Sequence, residues 1–160
     1  MSREYTSSLT PVQLRELICD LTQRITQNVA HIDLSLCDIE PDPQRDLCSV
    51  YTTLSGSYSS CFVLCAERSF FHRLTENILG HPTNDPEDLE EYAKEYFNVL
   101  CGRLVGEIYQ VTRLGAKFHP PCFQEGHYSR IPSSPDVHLE AICFTNPKSE
   151  HLTVLHGGFN

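Results

Sequence analysis

The sequence predicts an α+β fold, a mostly antiparallel sheet packed by two long helices. Three observations predict it. One segment near the N-terminus and one in the middle of the chain repeat apolar residues every three or four positions, while other segments alternate with period two. The order runs helix, three strands, two helices, then at least two strands, without the regular β-α alternation of a parallel sheet. The chain has 160 residues, enough to bury a core without help from a metal or a disulfide. With no low-complexity segment or linker, residues 1–160 read as a single domain with its core from about residue 10 to residue 157.

The first helix opens at Thr10, an N-cap followed by Pro11 at the first helical position, with Gln13 placed to complete a capping box. Leu14, Leu17, Ile18, Leu21 and Ile25 then recur at helical spacing, to about Val29. In HIDLSLCDI, Ile32, Leu34 and Leu36 alternate against polar residues, the period of a strand with one buried face. LCSVYTTL and YSSCFVLCA follow as two further strands, with a hairpin turn expected at Ser55-Gly56-Ser57. The second of these is apolar on both faces and is expected to be central. Ser69 is placed to cap a short helix carrying Phe71, Leu74 and Ile78, which Gly80 and Pro82 end.

The longest helix is announced by Asp85-Pro86-Glu87-Asp88: a capping carboxylate, a first-turn proline and acidic residues at the positive end of the helix dipole. It is expected to reach Arg113, roughly 40 Å at about 1.5 Å per residue. Pro120-Pro121, Gly126 and Pro132-Ser-Ser-Pro135 signal turns and loops. HLEAICF, a turn at Asn146-Pro147 and HLTVLHG supply the last two strands.

Charge narrows the functional classes. Twelve Lys and Arg against 21 Asp and Glu leave a formal charge of -9, a sign that repels nucleic acid and anionic bilayers, so neither is expected as a partner. No apolar run approaches the length of a membrane span and the N-terminus is polar, so a cytoplasmic location is expected. The eight cysteines contain no C-x-x-C pair, and Cys61 and Cys65 fall on one face of an apolar strand. Reduced, mostly buried thiols are expected, with no resident metal; His119 and Cys122 lack the paired spacing of a zinc site.

On the long helix Leu89, Ala93, Tyr96, Phe97, Leu100, Leu104, Ile108 and Val111 cluster in one arc, the expected core face. Glu91, Glu95, Asn98, Gly102, Gly106 and Tyr109 form a ridge on the opposite side. Two mid-helix glycines cost about 1 kcal/mol each relative to Ala, so this ridge is more costly than an ordinary solvated face. Either the glycines admit another element of the same chain, or a side-chain-poor strip beside a carboxylate and a carboxamide lets a partner protein approach. Glu107 falls at the edge of the apolar arc and neither explanation accounts for it.

Glu95-Tyr-Phe-Asn98-Val-Leu-Cys-Gly102 resembles the E-x-x-N-x-x-x-G signature of the CheC and CheX chemotaxis phosphatases, which act on the phosphorylated response regulator CheY. The surroundings are similar too: a short helix ending in NILG, an acidic connection, the signature on the next long helix, and an extended segment FHPPCFQEG, where the family more often has Ser in place of His119. CheC-type members carry the signature twice. Here the first helix offers Glu16 but then Cys19, and a single site is similar to CheX. The resemblance spans roughly Leu14 to Gly157 and implies a phosphatase for the aspartyl phosphate of a CheY-type regulator, with Glu95 and Asn98 catalytic and Glu91, Gly102 and Gly106 contacting the partner. It also implies no cofactor of the chain's own, Mg2+ supplied by the regulator, and a homodimer formed through sheet edges. A non-catalytic binding module of the same fold is the alternative, and a ridge used for self-association a third. No G-x-S-x-G or phosphate-binding P-loop is present.

An acyl phosphate is already labile, and its hydrolysis asks mainly for an oriented in-line water. A carboxamide can accept a hydrogen bond from that water and donate one to a phosphoryl oxygen, which suits Asn98. A carboxylate one turn away, Glu95, could pair with a lysine of the regulator.

Overall fold

Helix α1 (Pro11–Ala30) begins as its sequence dictates in the computed structural model, which describes residues 9–56, 60–130 and 139–158. Thr10 Oγ1 accepts from the Gln13 amide at 3.1 Å and Gln13 Oε1 accepts from the Thr10 amide at 3.0 Å, closing the capping box. The helix ends at His31, whose left-handed backbone (φ 55°) lets its amide donate to the Gln27 carbonyl. That cap corrects the expectation of a strand starting at His31. The Ile32 amide still donates back to Thr26, and strand β1 covers only Ser35–Cys37. Ile32 and Leu34 are buried as expected, but Leu36 is 56% exposed, because it lies beside the outer flank of α1 with Val12 and Arg15.

Strands β2 (Leu47–Gly56) and β3 (Ser60–Glu67) pair antiparallel from Leu47↔Glu67 to Leu54↔Ser60. Gly56 is the last residue of β2 and not the centre of a turn. Its φ is 116° and an added Cβ would stand 3.0 Å from the Gly115 carbonyl oxygen, so both backbone angle and space demand glycine. Ser57 of the expected turn lies outside the described residues, as do Pro132 and Pro135.

β3 leads without a break into α2 (Arg68–Leu79), whose N-cap is Glu67 and not Ser69. The Glu67 carboxylate makes no capping bond, because Arg45 and the His151 amide occupy its oxygens at 3.0 and 2.6 Å. Gly80 (φ 77°) ends α2 as expected. In α3 (Pro86–Thr112) Asp85 Oδ1 accepts from the Glu87 amide at 2.9 Å, and Arg113, in the left-handed region, closes the C-terminus. The expected core arc is buried from Leu89 to Ile108, but Val111 is 39% exposed. The buried stripe continues in steps of four, Leu104, Ile108, Thr112, which leaves position 111 on the flank.

The segment expected as loop holds two short strands, β4 (Ala116–Phe118) and β5 (Cys122–Glu125). Both pair with β2, β4 near its C-terminal end and β5 near its N-terminal end, so together they form one edge strand interrupted at His119-Pro120-Pro121. The proline nitrogens have no hydrogen to give a ladder. His119 holds the interruption in place: its amide donates to the Thr53 carbonyl at 3.1 Å and its carbonyl accepts from Thr52 Oγ1 at 2.6 Å. A short 3-10 turn (Tyr128–Arg130) and strands β6 (Glu140–Thr145) and β7 (His151–Gly158) complete the described chain.

The sheet order is β1-β6-β7-β3-β2-β4, with β5 also on β2 and every pairing antiparallel. The α+β architecture expected from the sequence is therefore present, with β3 in the interior of the sheet. The helices pack on one face through Val50, Phe62, Leu64, Phe144 and Val154. Phe62 stacks on Phe97 at 5.5 Å, fixing which side of α3 faces the sheet. Between α1 and α3, Tyr96 and Thr26 share a buried hydroxyl–hydroxyl hydrogen bond, and burial pushes the Tyr96 phenol up to about 12, more than the Thr26 bond lowers it. On the other sheet face Val63 and Leu155 are buried with Tyr51, Tyr128 and Ala141 around them. Cysteine burial is mixed: Cys48, Cys65, Cys101 and Cys143 are buried, but Cys19, Cys37 and Cys61 are half-buried and Cys122 is exposed.

Candidate functional site

The side of α3 that the core does not use is set by the side that it does. With Ala93, Tyr96, Phe97, Leu100 and Cys101 buried, Glu91, Glu95, Asn98, Gly102 and Gly106 are all exposed, as the helical period requires. The start of the helix is anchored from α2. The Thr83 amide donates to Glu76 Oε2 at 2.9 Å, Thr83 Oγ1 donates to Asp88 Oδ2 at 2.7 Å, and the Thr83 carbonyl meets His72 Nε2 at 2.9 Å. The ridge therefore stands on a rigid element with a fixed rotation.

Glu91, Glu95 and Asn98 line one open groove, whose other wall is Pro120-Pro121 from the interrupted edge strand. Glu87, Glu90 and Lys94 complete its lining. Lys94 Nζ lies 3.8 Å from Glu90 Oε1, so the groove carries four carboxylates and one ammonium already facing one of them. Among the described residues, Glu95 and Asn98 have no hydrogen-bond or ion-pair partner. Among the described residues no structural role occupies their side-chain polar groups.

Gly102 and Gly106 lie further along the ridge and outside that groove. A Cβ at Gly102 would touch the Phe118 ring at 4.0 Å, an ordinary contact, and one at Gly106 would meet nothing within 4 Å. Close packing among the described residues therefore does not require either glycine. Glu107 is half-buried on the same helix, and the structure supplies no reason for it.

The proline wall, together with Glu87, Glu90 and Lys94, is the part of the groove that sequence reasoning did not assign to the site. Its signal was present in the two adjacent prolines, but their approach to α3 depends on the pairing of β4 and β5 with β2. The corresponding face of α1 offers no second pair of this kind. Glu16 is exposed, whereas Cys19 is half-buried and its thiol donates to Gln23 Oε1 at 3.8 Å. Burial raises the Cys19 thiol, with Arg15 opposing. Among the described residues, no three His, Cys, Asp or Glu side chains gather as a metal-binding group. No described helix is long and apolar enough to cross a membrane.

No protein-family model matches the sequence, and no curated protein is similar to it at the level of sequence. Solved structures are similar in fold. The chemotaxis protein CheX from Vibrio vulnificus superposes with a TM-score of 0.75 at 12% identity, covering 94% of this chain and 99% of that one. CheX from Desulfovibrio desulfuricans gives 0.74 at 15% identity over 89% and 97% of the two chains. The CheX–CheY–BeF3–Mg2+ complex from Borrelia burgdorferi gives 0.71 at 16% identity over 92% and 98%. At these identities the likeness is one of fold: the chain has the CheX/CheC-like architecture over most of its length.

Proposed function

We propose that a protein with this architecture and this ridge hydrolyses the aspartyl phosphate of a CheY-type response regulator. The observation that carries the proposal is the pair Glu95 and Asn98: exposed, one helical turn apart, without partners among the described residues, and facing a groove with a rigid proline wall. The Borrelia CheX of the same fold has been crystallised with CheY, BeF3 and Mg2+, which supports a receiver domain as the partner class. Asn98 accepts a hydrogen bond from the attacking water and donates to a phosphoryl oxygen, holding the nucleophile in line. Glu95 receives a lysine of the regulator, a pairing favoured by the surplus of carboxylates in the groove. Glu91 and the glycine strip at 102 and 106 form the rest of the contact. Mg2+ comes with the regulator and neutralises charge on the phosphoryl group.

Two further elements belong to the proposal. The chain pairs with a second copy through an exposed sheet edge, and the complex assembles in the cytoplasm. The deciding experiment is decay of radiolabelled phosphoryl receiver domains, with and without the protein and its Asn98→Ala variant. Accelerated decay that Asn98→Ala abolishes supports the assignment. Full activity in Asn98→Ala removes it, and a wild type that binds phosphorylated receiver without accelerating decay establishes the binding module instead.

A further inference from the structure

We propose that Cys37 and Cys143 form a reversible intramolecular disulfide when the protein meets hydrogen peroxide, making β1 and β6 the two halves of a thiol oxidation site. The two residues are register partners on adjacent antiparallel strands. Directly opposed residues on such strands point to the same face with Cβ atoms about 4.5–5.5 Å apart, and a disulfide needs Cβ atoms about 3.5–4.5 Å apart with Cα atoms about 4.4–6.8 Å apart. A shift of about an ångström within a three-residue edge strand closes the difference.

The eight cysteines offer no second opposed pair. Cys65 stands opposite Ser49 and Thr153, Cys61 opposite Thr53 and Gly157, and Cys122 opposite Tyr51. Cys48 stands opposite Ala66 and Glu125, and Cys19 and Cys101 are on helices. In the reduced protein the two thiols are turned to separate acceptors. Cys37 Sγ donates to the Ile39 carbonyl at 3.4 Å and Cys143 Sγ to Thr153 Oγ1 at 3.7 Å. Neither is a strong interaction for sulfur, so a χ1 rotation at each cysteine brings the sulfurs together at small cost.

The difference in exposure assigns the order of events. Cys37 is half-buried on the outermost strand at that side of the sheet, whereas Cys143 is buried one strand further in. The Cys37 thiolate sulfur attacks one peroxide oxygen, the O–O bond breaks, and the departing hydroxide takes up the thiol proton as water, leaving a sulfenic acid. The Cys143 sulfur then attacks Cys37 sulfur. The S–O bond breaks, the leaving hydroxide takes the Cys143 proton, and the disulfide forms. Two thiols lose two electrons and one peroxide becomes two waters. Both sulfurs lie on the sheet face away from the helices, since Ile142 and Phe144 on either side of Cys143 belong to the helix-side core. The reaction is thus independent of the α3 groove.

The test uses the full chain, reduced with dithiothreitol, desalted, exposed to hydrogen peroxide and then blocked with N-ethylmaleimide. Peptide mass mapping should find the Cys37 peptide joined to the Cys143 peptide, with loss of two hydrogens per chain and full reversal by dithiothreitol. Cys37→Ser should abolish the link. Cys143→Ala should abolish it and let Cys37 accumulate as a sulfenic acid that dimedone traps; Cys37→Ser, on a half-buried position, carries the test if the buried substitution does not fold. Cys37 remaining fully alkylated, oxidising onward without a link, or bonding to a second chain would each overturn the proposal.

Discussion

Asn98 and Glu95 sit on the same exposed ridge, yet their proposed roles separate in measurement. An interaction made only in the transition state appears in the rate and not in binding. Asn98→Ala is therefore expected to return phosphoryl-receiver decay to the receiver's own rate while leaving affinity for a receiver carrying a stable phosphoryl mimic nearly unchanged. Asn98→Asp keeps the size but removes a donor and adds a negative charge beside the phosphoryl group, so it should be about as damaging. Glu95→Gln should weaken binding and turnover together, with the larger loss at low salt, where the proposed ion pair with the regulator is least screened. Titration calorimetry beside single-turnover decay measures both; equal losses of binding in all three variants would merge the two roles.

At the scale of elements, α3 bears an avoidable local cost. Gly102 and Gly106 weaken a 27-residue helix, and the space around each would accept a methyl group. Gly102→Ala is expected to raise stability by up to about 1 kcal/mol, read by urea unfolding. Gly102→Leu should fold but bind the receiver less well, by crowding the approach. A destabilised Ala variant would show that the Phe118 ring cannot accommodate the methyl, and normal receiver binding by the Leu variant would remove this strip from the docking surface. The interrupted edge strand acts in the opposite sense: its prolines end the ladder, and His119 pins them through its backbone, so the groove has one wall of helix and one of fixed loop.

At the scale of the molecule, acid sensitivity follows from a buried imidazole. His156 on β7 is buried and its Nε2 has no hydrogen-bond partner among the described residues, with Glu140 Oε2 at 3.7 Å. Burial pulls the imidazole below its ordinary 6.5, an effect that Glu140 partly offsets and Arg15 reinforces. The folded chain keeps His156 neutral while the unfolded chain takes a proton below 6.5, so stability is complete above that pH and declines as pH falls toward the folded value. Melting temperature should therefore drop as pH falls below about 6.5, and His156→Gln should flatten the drop. His127, lowered by burial against an opposing Glu40, acts in the same direction. An unchanged pH profile in the variant would place the sensitivity elsewhere. The edges of the sheet make a second molecular prediction. β1 leaves Leu36 exposed and Ile39, just beyond it, is 62% exposed, so light scattering should report about twice 18.2 kDa; a monomer at high micromolar concentration would remove the dimer.

The sequence by itself determined the helices, the N-caps of α1 and α3, the glycine stop of α2 and the side of α3 that faces outward. A capping box at Thr10 and Gln13, the Asp85-Pro86 start and a 3.6-residue period are encoded within a few residues, and helical geometry turns them into a rotation without knowledge of the rest of the chain. That locality made Glu91, Glu95, Asn98, Gly102 and Gly106 legible as one ridge. Only the tertiary structure decided what the ridge faces. Strand pairing joins residues far apart in sequence, and no local pattern records the partner. This is why Gly56 is required by a carbonyl from residue 115, why β1 shrinks to three residues behind a helix cap, and why Cys37 meets Cys143. For the same reason Pro120-Pro121, which a local signal marks as a loop, becomes the second wall of the groove beside Asn98.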